Sequence, residues 1–252
     1  MKVLKILLVI SFLLVPSFAF AWGPLTHIYL GNEIFSLGSF LPAGVYALIR
    51  KYRHDFLYGN LMADIIIGKK FLPEDKNSHS WDVALSLLDS ARTRQQKAFV
   101  YGYMSHLAAD TVAHGSFTNT KRNFGHTLVE LRADSIIDRK YWIQAVTIDR
   151  EVQMRNDVFL ERSLESAFFS FKTNKRIFKG MLLLSCFNKE RVGNFIQRNS
   201  LDPTVLTRKN IRKLQTESVD RMVDVLCNGK DSEVTNESPM VIMRQPSYRL
   251  LI

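Results

Sequence analysis

Apolar residues recur along this chain at the three-to-four-residue spacing of amphipathic helices, and no stretch alternates as a strand would. Read this way, residues 25–37, 42–53, 80–92, 94–114, 126–146, 157–171, 174–187 and 204–227 are predicted helices. The last is the plainest. Val219, Met222, Val223 and Leu226 repeat at i, i+3, i+4 and i+7 and make one apolar stripe suited to a core. Pro42 and Pro203 suit first helical positions, and Asn77-Ser78 offers side-chain caps ahead of Trp81. Residues 68–78 read as a loop whose Lys69, Lys70, Glu74, Asp75 and Lys76 form a solvated face. The pattern therefore predicts an all-α fold, a single multi-helix domain over residues 22–228. From 229 to 252 the composition turns polar and turn-prone, which predicts a loosely ordered C-terminal extension, with residues 240–243 and 250–252 available as short apolar contacts.

The first 21 residues break the helical pattern in a different way. Lys2 and Lys5 precede an apolar run from Ile6 to Val15, too short for a comfortable membrane span, and Ala19-Phe20-Ala21 is a small-x-small processing site. They are expected to be a signal peptide, cleaved between Ala21 and Trp22, placing the mature protein in the periplasm or outside the cell. No cysteine stands at the cleavage point, which argues against a lipoprotein. Without Lys2 and Lys5, 32 basic residues face 24 acidic ones, a formal charge of +8. Such a surface favours anionic partners: phospholipid headgroups, nucleic acid or phosphorylated small molecules. With only Cys186 and Cys227, the domain is no disulfide scaffold, and the two either pair after export or sit unpaired in apolar helices.

The chemistry concentrates in His106-x3-Asp110-x3-His114 on the predicted 94–114 helix. Positions four apart drift only about 40° around the axis, so the three side chains line one face over two turns. A lone helical histidine four residues from an aspartate is more often a simple N–H to carboxylate contact than a ligand pair. Here, within a dozen residues, a second helix opens with His126-x3-Glu130, again one turn apart. Upstream stand Asp64 and His79, and the expected mature N-terminus, Trp22-Gly23-Pro24-Leu25-Thr26-His27, adds an α-amine with an ordinary pKa near 8 that yields its proton readily to a metal. His54 has no place in this set and reads as a surface or capping residue beside Asp55. Asp134 and Asp138 continue the i+4 series, either as groups that orient ligands or as a solvent-facing stripe paired with Arg132 and Arg139. Trp81, Phe117 and Phe124 read either as a pocket floor or as core, and Lys121 and Arg122 as phosphate contacts or solvated loop cations.

In their order along the chain, Trp22-Gly-Pro-Leu-Thr-His27, Tyr58-Gly59 with Asp64, His79, the His106/Asp110/His114 helix and the His126/Glu130 helix resemble the bacterial zinc-dependent phospholipase C family. More distantly, the chain is similar to the fungal single-strand-specific zinc nucleases of the same fold. The resemblance runs from Trp22 to about Asp134. It implies three zinc ions: one held by Asp64, His79, His106 and Asp110, one by His114, His126 and Glu130, and one by the Trp22 amine and carbonyl with His27 and a bridging Asp110. His114 follows Asp110 more closely here than the corresponding histidine does in the best-known relatives. What the resemblance implies chemically is direct in-line hydrolysis of a phosphodiester by metal hydroxide, with Asp64 assisting the water. The expected activity is phospholipase C, releasing diacylglycerol and a phosphorylated headgroup at an anionic membrane surface, with no obligate protein partner. A single-strand nuclease using the same cluster is the first alternative, with nucleic acid as substrate. A non-catalytic zinc-binding protein is the second, although nine ligand positions exceed the four that a closed structural site needs.

Overall fold

The computed structural model describes residues 22–66, 72–73, 76–117, 132–164, 169–184 and 207–240, and every regular element among them is helical. Helix α1 spans Pro24–Ser36 and begins on a proline, whose missing N–H has no partner to lose in the first turn. A 3-10 turn at Gly38–Phe40 leads to α2, Ala43–Lys51. The predicted 42–53 helix ends at Tyr52, whose φ of −113° and ψ of 48° leave the helical region, and α3, Arg53–Met62, is a further helix that the apolar spacing does not predict. Helix α4, Trp81–Ser90, is capped by the Ser80 side chain, which accepts from the Asp82 amide. Helix α5, Arg94–Phe117, opens on a reciprocal box in which Thr93 Oγ1 accepts from the Gln96 amide and Gln96 Oε1 accepts from the Thr93 amide.

Further along, capping side chains cut what periodicity alone joins. The predicted helix over 126–146 is helical at 132–135, turns at 136–138, and restarts as α6, Arg139–Val146, because Asp138 accepts from the Lys140 amide. Residues 126–131 lie outside the described residues. Helix α7, Arg150–Glu161, capped by Asp149, starts ahead of the predicted 157–171 helix and ends within it, and α8, Phe171–Leu184, with Ser170 Oγ accepting from the Thr173 amide, falls on the predicted 174–187 helix and starts three residues earlier. Helix α9, Arg208–Asn228, is capped by Thr207 and ends at Gly229, whose φ of 58° glycine adopts without strain.

Helix α5 is the axis of the assembly. Nearly every side chain from Gly102 to Ala113 is buried on all sides, the mark of a helix enclosed by others rather than lying on a surface. Helix α3 packs along one side of it and α9 along another, while α4 also leans on it and α1 bridges α3, α6 and α9. The α3–α5 contact is backbone against backbone. A Cβ on Gly59 would stand 2.0 Å from the Phe99 carbonyl oxygen, and one on Gly102 would stand 1.9 Å from the Phe56 carbonyl oxygen. Behind this crossing, Asp55 is buried and receives Nε and a terminal nitrogen of Arg155 at 2.8 and 2.6 Å, and Asn156 Nδ2 at 2.7 Å, tying α7 to α3. His54, beside it, is exposed.

Composition predicts a loose extension from 229 onward, yet residues 229–240 form two short 3-10 turns against α9 and α5. Val234 is buried there, and the Glu237 carbonyl accepts from Trp81 Nε1 at 2.8 Å, which makes Trp81 a packing residue. No helix among the described residues is long and apolar enough to cross a membrane.

The glycine crossing predicts a large asymmetry among glycine substitutions. Gly59→Ala and Gly102→Ala should each destabilise by about 3 kcal/mol or more, since the obstructing atoms are backbone, whereas Gly44→Ala in α2, where a Cβ meets nothing within 4 Å, should be neutral or slightly stabilising. Thermal unfolding of the three variants separates these outcomes, and equal midpoints would contradict the close α3–α5 approach.

Candidate metal centre

Two side chains of the cluster come from one face of α5. His106 and Asp110, four residues apart, lie fully buried with His106 Nε2 3.3 Å from Asp110 Oδ2. The imidazole is fixed from behind: its Nδ1 lies 2.8 Å from the carbonyl oxygen of Asn60 in the last turn of α3, where backbone acceptors run out of helical donors. A carbonyl only accepts, so Nδ1 carries the proton and, in the neutral ring, Nε2 presents its lone pair to the cluster. The Gly59–Gly102 crossing brings that carbonyl within reach.

Asp64 and His79 approach from the connection between α3 and α4. Asp64 stands two residues past the end of α3 and is buried. The turn bearing His79 is held at two points: Asn77 Oδ1 accepts the His79 amide at 2.9 Å, and Tyr103 of α5 donates its hydroxyl to the Ser78 carbonyl. Burial, with the Asp64 charge adding to it, pushes the Tyr103 phenol well up, so it stays a donor. His79 Nε2 then lies 3.2 Å from Asp64 Oδ1, 3.1 Å from Asp110 Oδ2 and 3.1 Å from His106 Nε2. A single proton on that nitrogen serves one of these three neighbours at a time.

His27, in the first turn of α1, closes the group. Its ring stacks on His106 with centroids 3.6 Å apart and planes 17° from parallel, and its Nε2 is 3.2 Å from Asp110 Oδ1. Neither of those two buried atoms has a hydrogen bond of acceptable geometry. Burial, reinforced by His106, lowers the His27 pKa and keeps the ring neutral. For Asp110, burial pushes the carboxyl upward, but His106 and His27 outweigh it and hold the group well below the usual carboxylate range.

The residues fit a divalent cation. Ligand atoms of Asp64, His79, His106 and Asp110 all lie within 4.8 Å of one another, and all four side chains are buried. Two buried carboxylates facing imidazole lone pairs carry negative charge in a setting where an unpaired charge is costly. A mixed imidazole and carboxylate donor set suits zinc among the first-row ions. A sequence profile of the family described as zinc dependent phospholipase C matches residues 26–176. The chain belongs to that family. No curated protein and no solved structure matches it.

In this member of the zinc-dependent phospholipase C family, five of the nine ligand positions expected from sequence, His27, Asp64, His79, His106 and Asp110, converge on one buried cluster. Trp22 is fully buried beside it, with its indole Nε1 donating to the Ala109 carbonyl at 3.1 Å and to Ser218 Oγ of α9 at 3.0 Å. His114 sits on α5 one turn past Asp110, but its side chain lies outside the described residues, as do His126, Glu130 and Cys186. Sequence reasoning missed the groups that hold the ligands: the Asn60 carbonyl, Asn77, Tyr103 and Ser218. Only Asn77 carried a signal, as a capping candidate ahead of Trp81; the Asn60 group is a backbone carbonyl, which any residue would supply. Asp138 caps α6.

Metal removal gives the direct check. Dialysis against a chelator should lower the unfolding midpoint, because a metal held by the folded state alone stabilises by about 4 kcal/mol at a thousandfold excess over its Kd. Stoichiometric zinc should restore the midpoint, and His106→Ala should abolish the response. An unchanged midpoint in wild-type protein would count against a metal centre.

Proposed function

We propose that this protein is an exported zinc-dependent phosphodiester hydrolase acting as a phospholipase C, cleaving phospholipid to diacylglycerol and a phosphorylated headgroup. The observation that carries the reading is the two-sided contact that buried Asp110 makes within the cluster. Its Oδ2 faces His79 and His106 while its Oδ1 faces His27, so one carboxylate addresses two separate donor sets. That division supports a bridging role between two ions. Asp64, His79 and His106 would complete the first set, and His27 with the processed Trp22 amine and carbonyl the other. A third ion held by His114, His126 and Glu130 completes the three-zinc reading implied by the family.

Zinc held at such a cluster would lower the pKa of water toward about 7 and withdraw charge from a phosphoryl oxygen. The chain's own residues supply the rest. His106, locked by the Asn60 carbonyl, and His79, locked by Asn77 and Tyr103, are preorganised, so little reorganisation accompanies charge development at phosphorus. Asp64 is the carboxylate assigned to steady or accept the proton of the attacking water, since it joins the cluster through a connecting segment rather than a helix interior. The basic excess of the chain favours approach to an anionic membrane surface.

Purified mature protein, its N-terminal Trp22 verified by mass spectrometry, should be assayed side by side on phosphatidylcholine, phosphatidylinositol and single-stranded DNA. Lipid turnover without DNA turnover is expected. Asp64→Asn should lower turnover by about 100-fold or more, in the range of a lost general base, with the unfolding midpoint of the metal-free protein little changed. DNA turnover alone would replace the lipase reading with a nuclease, and silence on every substrate would remove both.

A further inference from the structure

Helix α1 delivers His27 to the cluster, yet it has no cap of its own: its N-cap is Gly23, which has no side chain to offer. The missing acceptor comes from the far side of the chain. Asp134, buried in the helical segment 132–135, accepts the Leu25 amide through Oδ2 at 3.2 Å and the Thr26 amide and Thr26 hydroxyl through Oδ1, each at 2.8 Å. A Cβ on Gly23 would stand 2.4 Å from Asp134 Oδ2, so only glycine admits the carboxylate this close. A carboxylate at the start of α1 also meets the positive end of the helix dipole. On the other side of Gly23, the Trp22 indole is pinned to α5 and α9 through Ala109 and Ser218. The first six residues of the described chain thus alternate anchors with ligands: Trp22 fixes the indole, Gly23 makes room, Thr26 grips Asp134, and His27 faces Asp110.

We propose that Asp134 is the positioning residue for the N-terminal ligand arm, holding the first turn of α1 so that His27, and after processing the Trp22 amine, stay aimed at the Asp64/His79/His106/Asp110 cluster. The proposal rests on the metal reading above. Asp134 acts through the backbone of residues 25 and 26, whose amides it accepts. Without it two amides and one hydroxyl in a buried turn lose their acceptor, and the arm gains freedom at the point where the imidazole must be fixed.

The test uses the full chain expressed with its own first 21 residues, in four forms: wild type, Asp134→Asn, Thr26→Val and Leu160→Ala. Leu160 is fully buried on α7, which supplies no cluster residue, so that variant reports general destabilisation. Each is titrated with cobalt(II) as a spectroscopic stand-in for zinc, and amide exchange at residues 25–27 is followed in metal-free protein. Asp134→Asn is expected to weaken cobalt binding by about 10–100-fold, the usual range for loss of a group that orients a ligand. It should also alter the visible absorption of the bound ion and speed exchange at residues 25–27. Thr26→Val, which removes one of three contacts, should fall between it and wild type and stands in if Asp134→Asn does not fold. Leu160→Ala should leave affinity and spectrum as in wild type. Wild-type affinity, spectrum and exchange in both Asp134→Asn and Thr26→Val would overturn the proposal, as would the same loss of affinity in Leu160→Ala. A wild-type protein that takes up no cobalt would overturn the metal reading instead. The exchange rates, measured without metal, would still show whether Asp134 holds the turn.

Discussion

Two carboxylates packed among imidazoles inside a helical core set the terms for the rest of this molecule. Asp64 and Asp110 are both buried, and His79 Nε2 lies within about hydrogen-bond distance of each. Bringing like charges this close in a water-poor interior disfavours folding unless a positive charge is shared among them. The surrounding framework is what makes the arrangement possible. His106 is tied to the Asn60 carbonyl, the His79 turn is tied to Asn77 and Tyr103, and α3 is pressed onto α5 where Gly59 and Gly102 remove both Cβ atoms. Each contact narrows the freedom of a donor, so the charge cost is met by geometry fixed in advance.

The same framework explains what the sequence discloses and what it hides. His106 and Asp110 could be placed on one helical face because their spacing matches the helix period, and that period is local. His27, Asp64 and His79 could be grouped with them only by the order of motifs along a known family. Nothing within a few residues of Asp64 says which helix it will meet. A helix end is hidden where a capping side chain competes with continuation: Asp138 and Ser170 both sit inside stretches whose apolar spacing reads as one helix. The break at Tyr52 has no such cap.

Asp134 marks the limit of local reasoning most sharply. From its neighbours it reads as either a ligand-orienting group or a solvent-facing charge beside Arg132. Its actual partners are amides and a hydroxyl 108 and 109 residues earlier in the chain. The glycine that admits it, Gly23, looks in sequence like an ordinary loop residue ahead of a proline. The short C-terminal turns are similar: residues 229–240 are polar enough to suggest looseness, and they dock because Val234 finds the core and Trp81 needs an acceptor for its indole N–H.

The site's parts come from widely separated stretches: Trp22 ahead of α1 and His27 within it, Asn60 and Asp64 around the end of α3, His79 before α4, His106 and Asp110 from α5, Asp134 from the segment ahead of α6, and Ser218 from α9. No fragment of the chain contains the donor set together with its supports, so the cluster exists only when the helices have assembled around α5. Metal affinity and folding stability therefore draw on the same contacts, and a cation bound by the folded state alone adds its binding free energy to that state. The reverse also holds. In a metal-free chain the buried carboxylates lack the cation that would share their charge, while the first turn of α1 is still held through Asp134 and the Trp22 indole.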